Sequence, residues 1–259
     1  MRALECGYDV ILTADTISEI IATRKVSARQ ALLRRCDWLM QSAKCIWPSN
    51  EIVKLLISRH LREPVQFNWQ AVEVRARVYE HMLPRRAFSD TVHEKQRSQQ
   101  FDLLHSFRKL WRQLRPEVDK ILLADPTKRP TNYKEAVAIA QRDGGVLWGF
   151  GEWLYQWVSN TKPSQTEIES FMRACPPFRA AAYALVMAWY NWSLRDQNDT
   201  TPVAGRNDLM MAVYMPYCER FISDDWAHRK DLRLIAEEAA LDCQVLSLDE
   251  FTSGLILAV

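Results

Sequence analysis

The chain is 259 residues long, 48% apolar and 25% charged, which is the composition of an ordinary globular protein and excludes collagen, low-complexity disorder and a disulfide mini-protein. Lys and Arg (34) against Asp and Glu (32) leave a net charge of +2, so any anionic ligand must be met by a local patch rather than by bulk charge. Seven glycines argue against an all-β design, and ten tryptophans point to cores or interfaces rich in large rings.

The first predicted element is a compact apolar run over residues 8–13, the length of a buried strand. Asp15 or Thr16 then caps a helix carrying Ile17, Ile20 and Ile21. A second helix is expected over 27–40, with Ala28, Ala31, Leu32, Cys36 and Leu39 on one face. A short strand at 45–47 closes at Pro48, and Ser49 caps a helix carrying Ile52, Leu55, Leu56 and Ile57. Residues 68–194 read as a mainly helical region punctuated by prolines. Within it, residues 93–115 are dense in Lys95, Arg97, Arg108, Lys109, Arg112 and Arg115, a pattern that fits a solvated helix face or a phosphate-binding flank. Trp148, Phe150, Trp153, Tyr155 and Trp157 follow at helical spacing and are expected in a core.

The last third changes character. A helix over 207–215 ends near Pro216, a strand follows at 220–223, an amphipathic helix at 229–241 and a strand at 243–247. Strand, helix and strand in that compass make a βαβ unit with parallel strands.

The chemistry-bearing residues lie where acids meet these strands. In open parallel sheets, ligands bind at the carboxyl ends of the strands. Asp224 and Asp225 directly follow one strand, Asp208 sits near the start of the preceding helix, and Glu19 lies on the helix behind the first strand. Singly, each acid also has an ordinary reading as an exposed helix acid, a helix-start acid or a cap. Jointly, converging carboxylates repel one another and call for a cation. Hard oxygen donors suit Mg²⁺ or Mn²⁺. The six cysteines are scattered with no Cys-x-x-Cys pair, and the five histidines show no metal-binding spacing. No glycine-rich phosphate loop occurs. No apolar leader is visible at residues 1–9, and the most apolar stretch, 180–192, falls short of a membrane span of about 20 residues. A cytoplasmic protein with no membrane partner is therefore expected.

The stretch Asn207-Asp208-Leu209-Met210-Met211-Ala212, followed by Phe221-Ile222-Ser223-Asp224-Asp225 and Val245-Leu246-Ser247-Leu248, resembles the PIN-domain ribonucleases, the family of VapC-type toxins. The resemblance implies an α/β fold, a PIN-like three-layer parallel sheet flanked by helices. Residues 1–67 and 195–259 would form this core, and 68–194 a large helical insertion or lobe. It makes Asp208 and Asp225 the third and fourth family acids, Asp224 their neighbour, and Ser223 the hydroxyl beside the metal. In one register Glu19 is the second acid and the first would lie on a strand upstream of Leu4. In the other, Asp15-Thr16 is the opening acid motif and Glu51 the second acid. The implied activity is Mg²⁺- or Mn²⁺-dependent cleavage of RNA, with Glu19, Asp208 and Asp225 catalytic and Asp15 and Asp224 assisting. Arg108 and Arg112, with Lys95 and Arg97, would steer the substrate. The expected partners are RNA, an antitoxin protein and a second copy of the chain. The alternative is a catalytically inactive PIN-derived or helical interaction module.

Overall fold

The computed structural model describes residues 8–85, 91–98, 101, 102, 105, 109, 130–142, 146–194 and 203–256. They are predominantly helical. Among the described residues there are four strands of three residues each: β1 (Ile11–Thr13), β2 (Lys44–Ile46), β3 (Arg220–Ile222) and β4 (Gln244–Leu246). The expected three-layer parallel sheet does not form. Among the described residues β1 pairs only with β2 and β3 only with β4, each pair parallel. The physical reason lies in the strands themselves. A parallel sheet is stable when its strands are buried on both faces. β3 is only half-buried at Arg220 and Phe221 and exposed at Ile222, and three-residue strands supply few ladder bonds. Helices bury most of the apolar surface instead.

The chain divides into two compact units, residues 1–52, 73–105 and 252–259 in the first and 53–72 and 106–251 in the second. In the first unit β1 runs directly into α1 (Ala14–Ala22). Its cap is Thr13, whose hydroxyl accepts the Thr16 amide at 3.2 Å, rather than the expected Asp15 or Thr16. Asp15 falls in the first turn, where a negative charge suits the helix dipole. Ile17 and Ile21, one helical turn apart, are buried with Ala14 against Leu33 and Cys36 of α2 (Val26–Leu39) and against Cys45 of β2. α3 (Ser49–Arg62) leaves this unit after Ile52. α4 (Arg77–Arg85) returns to it, and its Glu80 accepts the Cys45 amide at 3.1 Å and the Arg75 guanidinium at 2.8 Å.

The second unit contains α5 (Tyr133–Arg142), α6 (Val146–Gln156), α7 (Gln165–Ala174), α8 (Pro176–Trp189), α9 (Arg206–Met210), α10 (Trp226–Glu238) and, as far as Phe251, α11 (Leu248–Ile256). α8 is the central element. Its prolines sit in the first turn, where a missing amide costs nothing, and from Phe178 to Ala188 only Arg179 is not buried. α5, α6, α7, α9 and α10 all pack on it. The expected aromatic core at 148–157 holds for Tyr155, which is buried, and is corrected for Trp153 and Trp157. The buried positions of α6 are Leu147, Gly151, Leu154 and Tyr155, which leaves Trp153 and Trp157 on the opposite face, 51% and 48% exposed. Residues 207–215, expected as one helix ending near Pro216, fall instead in α9 and then a 3₁₀ helix, Met211–Tyr217, that contains Pro216. α10 ends with Leu241 N–H on the Ala236 carbonyl and Ala240 N–H on that of Glu237, with Ala240 at φ 48°. That is a Schellman cap with alanine where glycine is usual.

Candidate functional site

The βαβ unit of the second unit is observed as β3, α10 and β4, and it positions the acids predicted from the sequence. Asp225 caps α10, its Oδ1 accepting the His228 amide at 2.9 Å. The imidazole of His228, 6% exposed, is held at both nitrogens. Nε2 donates to the main-chain carbonyl of Asp208 at 2.9 Å, and Nδ1 lies 3.1 Å from the Ser223 hydroxyl. A carbonyl can only accept, so Nε2 carries a proton, and Nδ1 shares its hydrogen bond with the Ser223 hydroxyl. The edge of the ring meets Phe221 at 5.7 Å between centroids. One side chain thus ties the helix bearing Asp208 to the strand end bearing Ser223 and Asp225.

The carboxylates around this junction are also used structurally. Asp208 Oδ2 accepts the Gly205 amide at 2.8 Å, at the start of α9. Asp224 Oδ1 accepts the Leu248 amide at 2.9 Å, at the start of α11. α11 is further set by a capping box. Ser247 Oγ accepts the Glu250 amide at 3.0 Å, and Glu250 accepts the Ser247 amide at 2.6 Å and the Arg233 guanidinium at 2.7 Å. The Ser247 amide and then Arg233 hold the Glu250 carboxyl below the usual range. The carboxyl edge of the β3–β4 pair is therefore ordered by four acids on amides: Asp208, Asp224, Asp225 and Glu250.

Asp15 and Glu19 belong to the first unit. Asp15 Oδ2 accepts the Ser49 amide at 3.0 Å, joining the carboxyl ends of β1 and β2. Glu19 is half-buried on α1 and its carbonyl accepts the Thr23 hydroxyl. Tyr79 lies within electrostatic reach of both Asp15 and Glu51. Its hydroxyl is pushed up mainly by burial, with these two carboxylates adding to the shift. Arg108 and Arg112 lie outside the described residues. Lys95 is exposed, and Arg97 pairs with Glu94 on its own helix turn.

His228 was not singled out by spacing. Its partners are a hydroxyl five residues away and a carbonyl twenty away, and no motif encodes that. The available signal was Asp225 three residues before it, a cap-to-third-residue relation that places the imidazole at the strand end.

The donor types present, carboxylates and a hydroxyl, suit a hard divalent ion. Among the described residues, no group of three or more His, Cys, Asp or Glu side chains gathers closely enough to hold one. A separate cavity of about 260 Å³ is lined by Tyr133, Tyr190, Asn191, Lys230 and Asp231, away from the strand-end acids. Among the described residues no helix is long and apolar enough to cross a membrane. No protein-family model, no curated protein and no solved structure matches the chain.

Proposed function

We propose that the chain is a divalent-metal-dependent endoribonuclease acting on cytoplasmic RNA, with Asp208 and Asp225 as its principal metal-binding carboxylates and Asp224 beside them. The proposal takes over the chemistry of the PIN-type resemblance without its three-layer sheet. The observation that carries it is the His228 junction, which holds the Asp208 main chain, Ser223 and the Asp225 cap together at the carboxyl end of a parallel strand pair. That end is where open parallel sheets bind ligands. Mg²⁺ needs only one or two protein carboxylates and completes its shell with water and substrate phosphate oxygens, so two acids, each with one oxygen hydrogen-bonded to a main-chain amide and a second oxygen to offer, suit its demand. A bound divalent ion supplies a more acidic water and charge compensation at the leaving oxygen of a phosphodiester. The part of the chain's own residues is to hold those carboxylates still. Each uses one oxygen on a main-chain amide, which fixes its plane. Arg108 and Arg112 are the proposed RNA-steering cations of the same reading.

The test is cleavage of single-stranded RNA in Mg²⁺ or Mn²⁺ by the full chain and by Asp208→Asn and Asp225→Asn. Asparagine still accepts the Gly205 and His228 amides, so both folds survive while the charge is gone. Cleavage should fall by more than the ~10–100-fold that changes around metal ligands cost. Undiminished cleavage in both variants overturns the assignment.

A second reading, a non-catalytic interaction module, is favoured by one observation: Asp15, Asp208, Asp224 and Asp225 each accept a main-chain amide. Under it, RNA stays intact with either metal. Alanine at these positions would then destabilise the fold while asparagine would not.

A further inference from the structure

The parallel register of β3 and β4 brings together two cysteines that lie 25 positions apart in sequence. Gln244 faces Arg220, and the Gln244 amide donates to the Glu219 carbonyl at 2.8 Å. Cys218 and Cys243 therefore enter the two strands side by side, at the amino end of the pair and away from Ser223, Asp224 and Asp225. Their sulfurs are 3.8 Å apart. We propose that Cys218 and Cys243 form a peroxide-reactive dithiol, in which Cys243 is the attacking sulfur and Cys218 the resolving one, and that its oxidised form is a disulfide across the β3–β4 pair. The proposal does not depend on the nuclease reading.

Three observations carry it. The first is reach. The sulfurs already stand 3.8 Å apart, one register position out of step, so a closure of under about 2 Å brings them to the S–S bond length. The second is access. Both residues are half-buried, whereas Cys36, Cys45 and Cys175 are 6%, 0% and 0% exposed. The third is polarity. The hydrogen bond between the two thiols and then the Phe221 amide hold the Cys243 thiol below the ordinary value, while that same hydrogen bond and burial push Cys218 up. Nucleophilicity toward peroxide belongs to the thiolate, so the two sulfurs have unequal roles. Burial pushes Cys45 and Cys175 up to about 12, which leaves them inert at neutral pH.

The chemistry balances with hydrogen peroxide as the oxidant. The Cys243 thiolate attacks one peroxide oxygen. An S–O bond forms, the O–O bond breaks, and the departing hydroxide takes a proton to become water. Cys218 gives up its proton and attacks the resulting sulfenic sulfur. An S–S bond forms, the S–O bond breaks, and the second hydroxide leaves as water with that proton. Two electrons pass from the sulfur pair to the peroxide.

The experiment treats the reduced full chain with hydrogen peroxide and maps its peptides without reduction. The expected product is a single cross-link between the peptides of Cys218 and Cys243, lost on adding dithiothreitol, with Cys175 still open to alkylation after unfolding. In Cys218→Ser the sulfenic acid has no resolving partner, so dimedone should label Cys243. In Cys243→Ser the cross-link is lost and Cys218 should stay unlabelled. Cross-links through other cysteines, thiols at 218 and 243 that remain free under peroxide, or an unlabelled Cys243 in Cys218→Ser would each overturn the proposal.

Discussion

His60 sits in a nest of rings, 4.3 Å from Phe171, 5.3 Å from Phe67 and 5.9 Å from Tyr155 between centroids, with Nδ1 3.0 Å from the Tyr155 hydroxyl. Burial lowers its affinity for a proton below the ordinary value of 6.5, and the nearby Glu167 carboxylate offsets only part of that. The sign for stability follows from which state protonates first. Above about pH 6.5 the ring is neutral in both the folded and the unfolded chain and contributes nothing to the slope. Below it the unfolded chain takes up the proton first, so stability falls with acid until the folded ring also titrates. The expected outcome is that the wild-type Tm drops more between about pH 7.5 and pH 5.5 than that of His60→Gln, which keeps a polar partner for Tyr155 but does not titrate there. Thermal melts of the two proteins at both pH values check it, and parallel pH profiles would remove His60 from the acid sensitivity of this unit.

At the scale of elements, α6 sets two glycines against each other. A Cβ at Gly149 would meet nothing within 4 Å, whereas one at Gly151 would lie 2.7 Å from Ile168 Cγ2 and 3.3 Å from Met172 Sδ. Gly151 is thus the point at which α6 comes close to α7, and Gly149 is a helix interior position with no packing reason to lack a side chain. Gly149→Ala should gain about 1 kcal/mol at most from helix propensity. Gly151→Ala should lose about 1–3 kcal/mol from overpacking, which outweighs the same propensity gain. Denaturant unfolding should move the two midpoints in opposite directions. The same helix shows where periodicity is read well and where it is not. Helical spacing placed Trp153 and Trp157 on an element, but a ring count does not say which face is inward. That face is set by Leu147, Gly151, Leu154 and Tyr155, so of the five rings only Tyr155 is fully turned inward. Elsewhere local chemistry was legible. The apolar runs at 10–13 and 45–47 became β1 and β2, those at 220–223 and 243–247 became β3 and β4, and Asp225 became the cap of α10. Joining the two pairs into one sheet was a different kind of statement. It concerned hydrogen-bond partners between distant segments, which no local pattern carries. It came from the resemblance, and the pairing stops at two strands each.

For the whole molecule, the acids could be located in sequence but their occupation could not. Asp208, Asp224 and Asp225 were legible because they flank a strand end, yet that same position makes each a natural acceptor for a helix-start amide. Carboxylates in a cap and carboxylates on a metal have the same sequence signature, and the difference is thermodynamic. An ion that binds the folded chain and not the unfolded one stabilises the whole molecule by mass action, by about 2.7 kcal/mol at a hundredfold excess over its dissociation constant. For units of this size that is a Tm increase of several degrees. A cap acceptor with no metal responds only to ionic strength. Mn²⁺ titrated against the full chain at constant ionic strength should therefore raise Tm in a saturable way, and Asp225→Asn should abolish the rise while leaving the metal-free Tm near wild type, because asparagine caps α10 as well as aspartate does. A flat Tm across the titration would leave these carboxylates as structural acceptors alone and would favour the interaction module over the nuclease.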